Sequence, residues 1–175
     1  MHMTRSNRVV STTAAAVLAM VAFSAAPAFA DGSSGDSSSG HSSSGHSVLR
    51  APLMGSTPAP VSPMIAGVNP GAAPWVNGPS NVRVRRDGEI TVSIRGLVIP
   101  PPVGTGVNPV LSAVATLVCD NMVSSSTAPF ALSAAGTGST SQMISVPRHC
   151  EDPVVLIQPA ANRAIYIASA MGEDD

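Results

Sequence analysis

Apolar and polar positions alternate most cleanly in Asn81-Val-Arg-Val-Arg-Arg-Asp-Gly-Glu-Ile-Thr-Val-Ser-Ile-Arg95, where Val82, Val84, Ile90, Val92 and Ile94 are separated by polar side chains. Period two with polar partners predicts strands with one wet face, and Asp87-Gly88 supplies the turn between them. A two-residue loop would set Val84 opposite Thr91 and mix the faces. A three-residue loop, Arg86-Asp87-Gly88, pairs Val84 with Ile90 and Val82 with Val92, and puts Gly88 where a left-handed residue is required. It also places Arg85 across from Glu89.

Further along, Val110-Leu-Ser-Ala-Val-Ala-Thr-Leu-Val-Cys119 is apolar on both alternating faces. Its β-branched content predicts a central strand covered on both sides. Shorter segments follow at 127–132, 142–146, 154–158 and 163–169, with a turn-rich stretch at 134–139. The last two suggest a hairpin around Pro159–Asn162 that aligns Leu156 with Ile165 and Val154 with Ile167. Short strands with turns every 8–12 residues, and no long helical periodicity, predict an all-β fold. The expectation is a small antiparallel β-sandwich, immunoglobulin-like, of about seven strands with one disulfide.

Outside that pattern the chain changes character. Residues 1–30 have the layout of a secretory signal peptide: Arg5 and Arg8, an apolar Ala/Val run, and Ala28-Phe29-Ala30 before Asp31. Residues 31–47 are nearly all Ser and Gly and predict a disordered segment. Residues 48–79 carry prolines at 52, 58, 60, 63, 70, 74 and 79. That density argues for an extended Pro/Ala/Gly-rich linker. The β-sandwich domain is then expected at 80–171, with an acidic C-terminal tail at 172–175.

Charge narrows the partners. All nine basic residues are arginines, two of them in the leader, which leaves seven against ten carboxylates in the exported chain, a formal charge of about −3. With no basic cluster beyond Arg83-Val84-Arg85-Arg86, nucleic acid is not an expected partner. There is no second apolar span, so no integral membrane segment is expected after cleavage. The expected protein is secreted, with an unknown extracellular or cell-envelope partner and no cofactor.

Candidate chemistry centres on Ser145-Val-Pro-Arg-His-Cys-Glu-Asp-Pro153. Cys119 and Cys150 are the only cysteines, an even number in an exported chain, and each falls near the end of an expected strand. A disulfide between them would close a loop of about 30 residues, for roughly 3–4 kcal/mol. A thiol nucleophile would need a base held by a third group, and a closed zinc site four ligands. His149 and Cys150, adjacent on an extended chain, point to opposite faces. His41, His46 and His149 are the candidates for weak metal binding. Trp75, the only tryptophan, is the candidate ligand contact, with core or edge packing as the alternative. A hydrolase would have to use loop residues such as Asp120, His149 and Glu151, and no GxSxG occurs.

The segments 88–100, GEITVSIRGLVIP, 108–119, NPVLSAVATLVC, and 146–157, VPRHCEDPVVLI, resemble small secreted proteins of actinobacteria, a family without an assigned activity. The likeness covers about Trp75 to Met171. It implies the same domain and the same paired cysteines, and implies no reaction. The leading expectation is a non-enzymatic extracellular binding or envelope-associated module; a small hydrolase and a weak metal binder are the alternatives.

Overall fold

The computed structural model describes residues 46–172. The 81–95 hairpin adopts the expected register: β4 (Asn81–Arg85) and β5 (Glu89–Ile94) pair Val84 with Ile90 and Val82 with Val92. Gly88 has φ 100°, and its N–H closes the turn on the Arg85 carbonyl. All five apolar residues of the hairpin are buried. Arg85 reaches Glu89 at 3.5 Å.

Two antiparallel sheets enclose the main core. The first has the order β1-β4-β5-β9, with β1 at Ser47–Pro52 and β9 at Gly138–Met143. The second has the path β2-β12-β10-β6-β7, with β8 also paired to β6. Its strands are β2 (Met54–Gly55), β6 (Ser112–Cys119), β7 (Met122–Ser126), β8 (Phe130–Ala131), β10 (Val154–Pro159) and β12 (Ala168–Met171). A short parallel pair, β3 (Asn69–Pro70) with β11 (Ile165–Tyr166), stands apart from both. No helix occurs among the described residues. The disulfide staples neighbouring strands of the second sheet and does not cross between sheets.

The central strand is β6, as its apolar run predicts. Its residues from Ala113 to Cys119 are all buried. Ala113, Ala115, Leu117 and Cys119 face the inter-sheet core with Val82, Val92, Val155 and Ile157. Val118 faces a second cluster with Ile65, Val68, Leu156 and Tyr166 on the other side of the sheet. Between the apolar residues of that second face lies a buried polar bridge: Thr116 Oγ1 donates to Gln158 Oε1 at 2.6 Å, and Gln158 Nε2 to the Arg163 carbonyl at 2.6 Å. Pairing of this kind removes the cost of burying an amide and a hydroxyl.

The linker expected at 48–79 is overturned, and with it the domain start at 80. β1 pairs with β4 along its length, and Leu49, Ala51, Leu53, Ile65, Val68 and Trp75 are buried. Proline excludes a central strand but not an edge strand or its last residue, and Pro52 ends β1 at the edge of its sheet. A bulge between Ser47 and Leu49 interrupts the β1–β4 register, a device that protects sheet edges. Between the short strands, backbone groups find partners individually, such as Trp75 N–H on Ser56 O at 2.7 Å and Gly71 N–H on Tyr166 O at 2.9 Å. Ser47, placed in the Ser/Gly segment by its neighbours, begins β1; residues 31–45, the signal peptide expected at 1–30, and 173–175 lie outside the described residues.

Three strand expectations shift. The hairpin between 154–158 and 163–169 has Leu156 opposite Ser169 and Val154 opposite Met171. Because β10 is buried on both faces, alternation does not fix its register, and Ile165–Tyr166 pairs with a segment that had seemed to be linker. The strand placed at 142–146 runs from Gly138 to Met143, partly inside the predicted turn. β7 was not expected at all. The strand count therefore exceeds seven, mainly through two-residue pieces.

Candidate functional site

The cysteines form the expected bridge, with Cα atoms 4.8 Å apart. Cys119 ends β6 and Cys150 precedes β10, and β6 and β10 pair from Val118 opposite Val154 onward. The bridge thus continues the ladder by one covalent rung. No free cysteine occurs among the described residues, so the thiol-nucleophile alternative has no thiol.

Beyond Cys119 the chain reverses through Asp120 and Asn121, both left-handed at φ 53° and 55°, into Met122 opposite Cys119. Two left-handed residues in a two-residue loop define the tight hairpin turn that Asp and Asn tolerate best. Asp120-Asn121 was therefore the available signal for β7, whose Met-Val-Ser-Ser-Ser carries no apolar stripe. The Asp120 N–H donates to Glu151 O at 3.0 Å, and the Glu151 N–H returns to Asp120 Oδ1 at 3.2 Å. Asn121 Oδ1 accepts the Ala66 N–H at 2.9 Å, tying the loop over the second core to the same end. A shallow depression of about 450 Å³ results, lined by Ile65, Val118, Asp120, Asn121, Asp152 and Val154.

This depression brings together only part of the residue set that a hydrolase would need. Asp120 lines it, but its carboxylate oxygen is an acceptor for a backbone N–H, and Glu151 meets it through main chain. His149 is exposed on the loop before the bridge and does not line the depression. Among the described residues no group of three His, Cys, Asp or Glu side chains is arranged to hold a metal ion. His46 lies at the start of β1, where its carbonyl accepts the Arg86 N–H at 3.0 Å; His41 lies outside the described residues.

Trp75 is not a surface platform. It is 6% exposed and belongs to the inter-sheet core. Gly55 and Gly71 admit it: a Cβ on Gly71 would stand 3.2 Å from the indole Nε1. The only other buried aromatic with a polar handle, Tyr166, donates its hydroxyl to Pro63 O at 2.6 Å. Burial raises its phenol above the ordinary value of 10.0, against a smaller lowering by the Ser62 hydroxyl.

The outer face of the first sheet is a second candidate surface, which sequence reasoning missed. Inward residues of β1, β4 and β5 fill the core, so Arg50, Arg83, Thr91 and Ser141 form one row across the four outward faces, in direct register. Asn81, Ser93 and Ser139 form the neighbouring row. Arg50 and Arg83 are cross-strand partners and both are exposed. Like charges directly opposite are unfavourable. Neither has an ion pair among the described residues, where Arg85 alone pairs, with Asp87 and Glu89. The Arg83 Nε donates to Ser47 Oγ at 3.3 Å. Two contiguous hollows of about 330 and 300 Å³ share Arg50 and Asn81.

These features define a disulfide-bridged antiparallel β-sandwich with one open polar sheet face. No family model, no curated protein and no solved structure matches the chain. No helix among the described residues is long and apolar enough to cross a membrane.

Proposed function

We propose that the chain is a secreted, non-enzymatic β-sandwich module that acts outside the cell, by binding a partner or as part of the cell envelope. The observation that carries this reading is the outward row of the four-stranded sheet, a rigid polar surface with two arginines left without carboxylate partners among the described residues. The Cys119–Cys150 bridge supports an oxidising destination, where disulfides persist. The layout of residues 1–30 supports export, with Asp31 as the first residue of the mature chain. The likeness to small secreted actinobacterial proteins belongs to the same reading. Asp120 and Glu151 meet through main chain, and neither Glu151 nor His149 lines the depression that Asp120 borders, which weighs against the hydrolase alternative.

The test is expression with the native leader in an actinobacterial host. The mature protein is expected in the medium or the cell-wall fraction, beginning at Asp31 and carrying no free thiol. Retention in the cytoplasm with residues 1–30 intact would refute the reading.

A further inference from the structure

We propose that the outer face of the four-stranded sheet binds an acidic glycan, with Arg50 and Arg83 as the carboxylate- or phosphate-binding pair. The inference rests on the binding-module reading and names its ligand class. Its starting point is the cross-strand juxtaposition of Arg50 and Arg83. Directly opposed side chains in an antiparallel pair have Cβ atoms only about 4.5–5.5 Å apart. The two side chains rise from adjacent positions on the same outward face, neither is paired with a carboxylate among the described residues, and the Arg83 Nε contact with Ser47 Oγ leaves the terminal nitrogens of both guanidinium groups for an anion. Guanidinium forks match carboxylate and phosphate oxygens in bidentate geometry.

The rest of the surface selects among anions. Around the pair stand the short hydroxyl and amide groups of Asn81, Thr91, Ser93, Ser139 and Ser141, in register across the strands. Four strands at about 4.8 Å spacing make a row of roughly 15 Å, the scale of a few sugar rings. Such a hydroxyl-rich row offers hydrogen bonds to sugar hydroxyls on the β5 and β9 side of the charged group. A protein partner would need an apolar or aromatic anchor at the centre of the patch. The one large apolar residue facing outward is Met143, which lies opposite Glu89 at the end of the strands. Nucleic acid needs a broader basic stripe, whereas Glu89 and Asp87 border this one and engage Arg85.

The experiment titrates the oxidised mature protein, residues 31–175, with polygalacturonate, with a phosphate-bearing mannan and with neutral dextran, by calorimetry at low and at physiological salt. Binding to one or both acidic glycans, weakening with salt and absent for dextran, is expected; the two acidic arms distinguish carboxylate from phosphate as the recognised group. Arg50→Gln and Arg83→Gln should each weaken binding by about tenfold, the value of one charged hydrogen bond. Arg163→Gln, on the loop before β11, should leave it unchanged. Thermal midpoints of the first two variants should equal or exceed wild type, since each removes one of two opposed like charges. Unchanged affinity in Arg50→Gln and Arg83→Gln, or binding to neither acidic glycan, overturns the proposal. If the acidic glycans fail while the mature protein is still exported, this inference falls alone; if the protein stays in the cytoplasm with residues 1–30 intact, the module reading falls with it.

Discussion

Reduction of the Cys119–Cys150 bridge is the perturbation whose size follows most directly from the fold. The two cysteines are 31 residues apart in sequence. The chain-entropy relation for a loop of that length gives about 12 cal/mol/K, or about 3.7 kcal/mol at 25 °C. The enclosed segment holds β7 and β8 of the second sheet and β9 of the first. Opening it therefore frees, in the unfolded chain, a stretch that must cross between sheets twice. In the folded chain the β6–β10 ladder persists beside the bridge, from Val118 opposite Val154 to Ala113 opposite Pro159. Reduction should accordingly weaken the domain without dissolving it. Typical domain stability is about 5–15 kcal/mol, so the loss is a large share.

With a urea slope of about 2 kcal/mol/M, the expected shift in midpoint is about 1.8 M. The assay is urea denaturation followed by far-ultraviolet circular dichroism, with and without reductant, alongside Cys119→Ala/Cys150→Ala in the absence of reductant. Intact mass should rise by two hydrogens on reduction. Both samples should shift in the same direction, the double variant somewhat further because Cys119 is buried and its sulfur is lost. A shift below about 0.5 M in both would refute the constraint argument, since it would mean that the unfolded chain gains little freedom from opening the loop.

Two further predictions test the assignment of the aromatic residues. Trp75→Ala should cost about 3–5 kcal/mol, as for other buried tryptophans, measured by chemical denaturation; a ligand platform at the surface would cost less than about 0.5 kcal/mol. Because Tyr166 has a raised phenol pKa in the folded state, the unfolded chain loses its proton first, near pH 10. Stability contributed by the neutral phenol is thus complete below that value and declines from pH 10 up through the raised folded value. Urea midpoints between pH 8 and 11 should fall for wild type and fall less for Tyr166→Phe, which at neutral pH should be about 1 kcal/mol weaker for loss of the bond to Pro63; parallel decline would sink the attribution to Tyr166.

How much of this was legible in the residues depends on how many faces a segment buries. Val82, Val84, Ile90 and Val92 bury one face, so their alternation specified both strand and register. β6 and β10 bury two, so their apolar runs identified strands but not the pairing of β10, whose offset depended on where Ile165 and Tyr166 went. β7 buries little and left only its Asp120-Asn121 turn as a trace. The proline-rich stretch misled because proline reports what a segment cannot be, a central strand, and is silent about an edge strand. On the chemical side, two cysteines in an export-type sequence were enough for the bridge. The Arg50–Arg83 pair was not legible, because one arginine lay in the supposed linker and only the β1–β4 register brings it to the other.

The misread segment also decides where a partner can dock. Ile65 and Val68 cover the outer side of the six-stranded sheet, against Val118, Leu156 and Tyr166. The β6–β10 centre of that sheet is consequently closed on both faces, by the main core and by the loop over it. The four-stranded sheet has no such cover on its polar side, where Arg50, Arg83 and Ser141 are exposed. The same N-terminal stretch supplies β1, which contributes Leu49 and Ala51 to the core and Arg50 to the open face. One segment therefore closes the apolar side of the larger sheet and completes the charged row on the smaller one. Binding lost by deleting it would not distinguish folding from recognition, whereas a change confined to the Arg50 side chain leaves Leu49 and Ala51 in place and isolates the site.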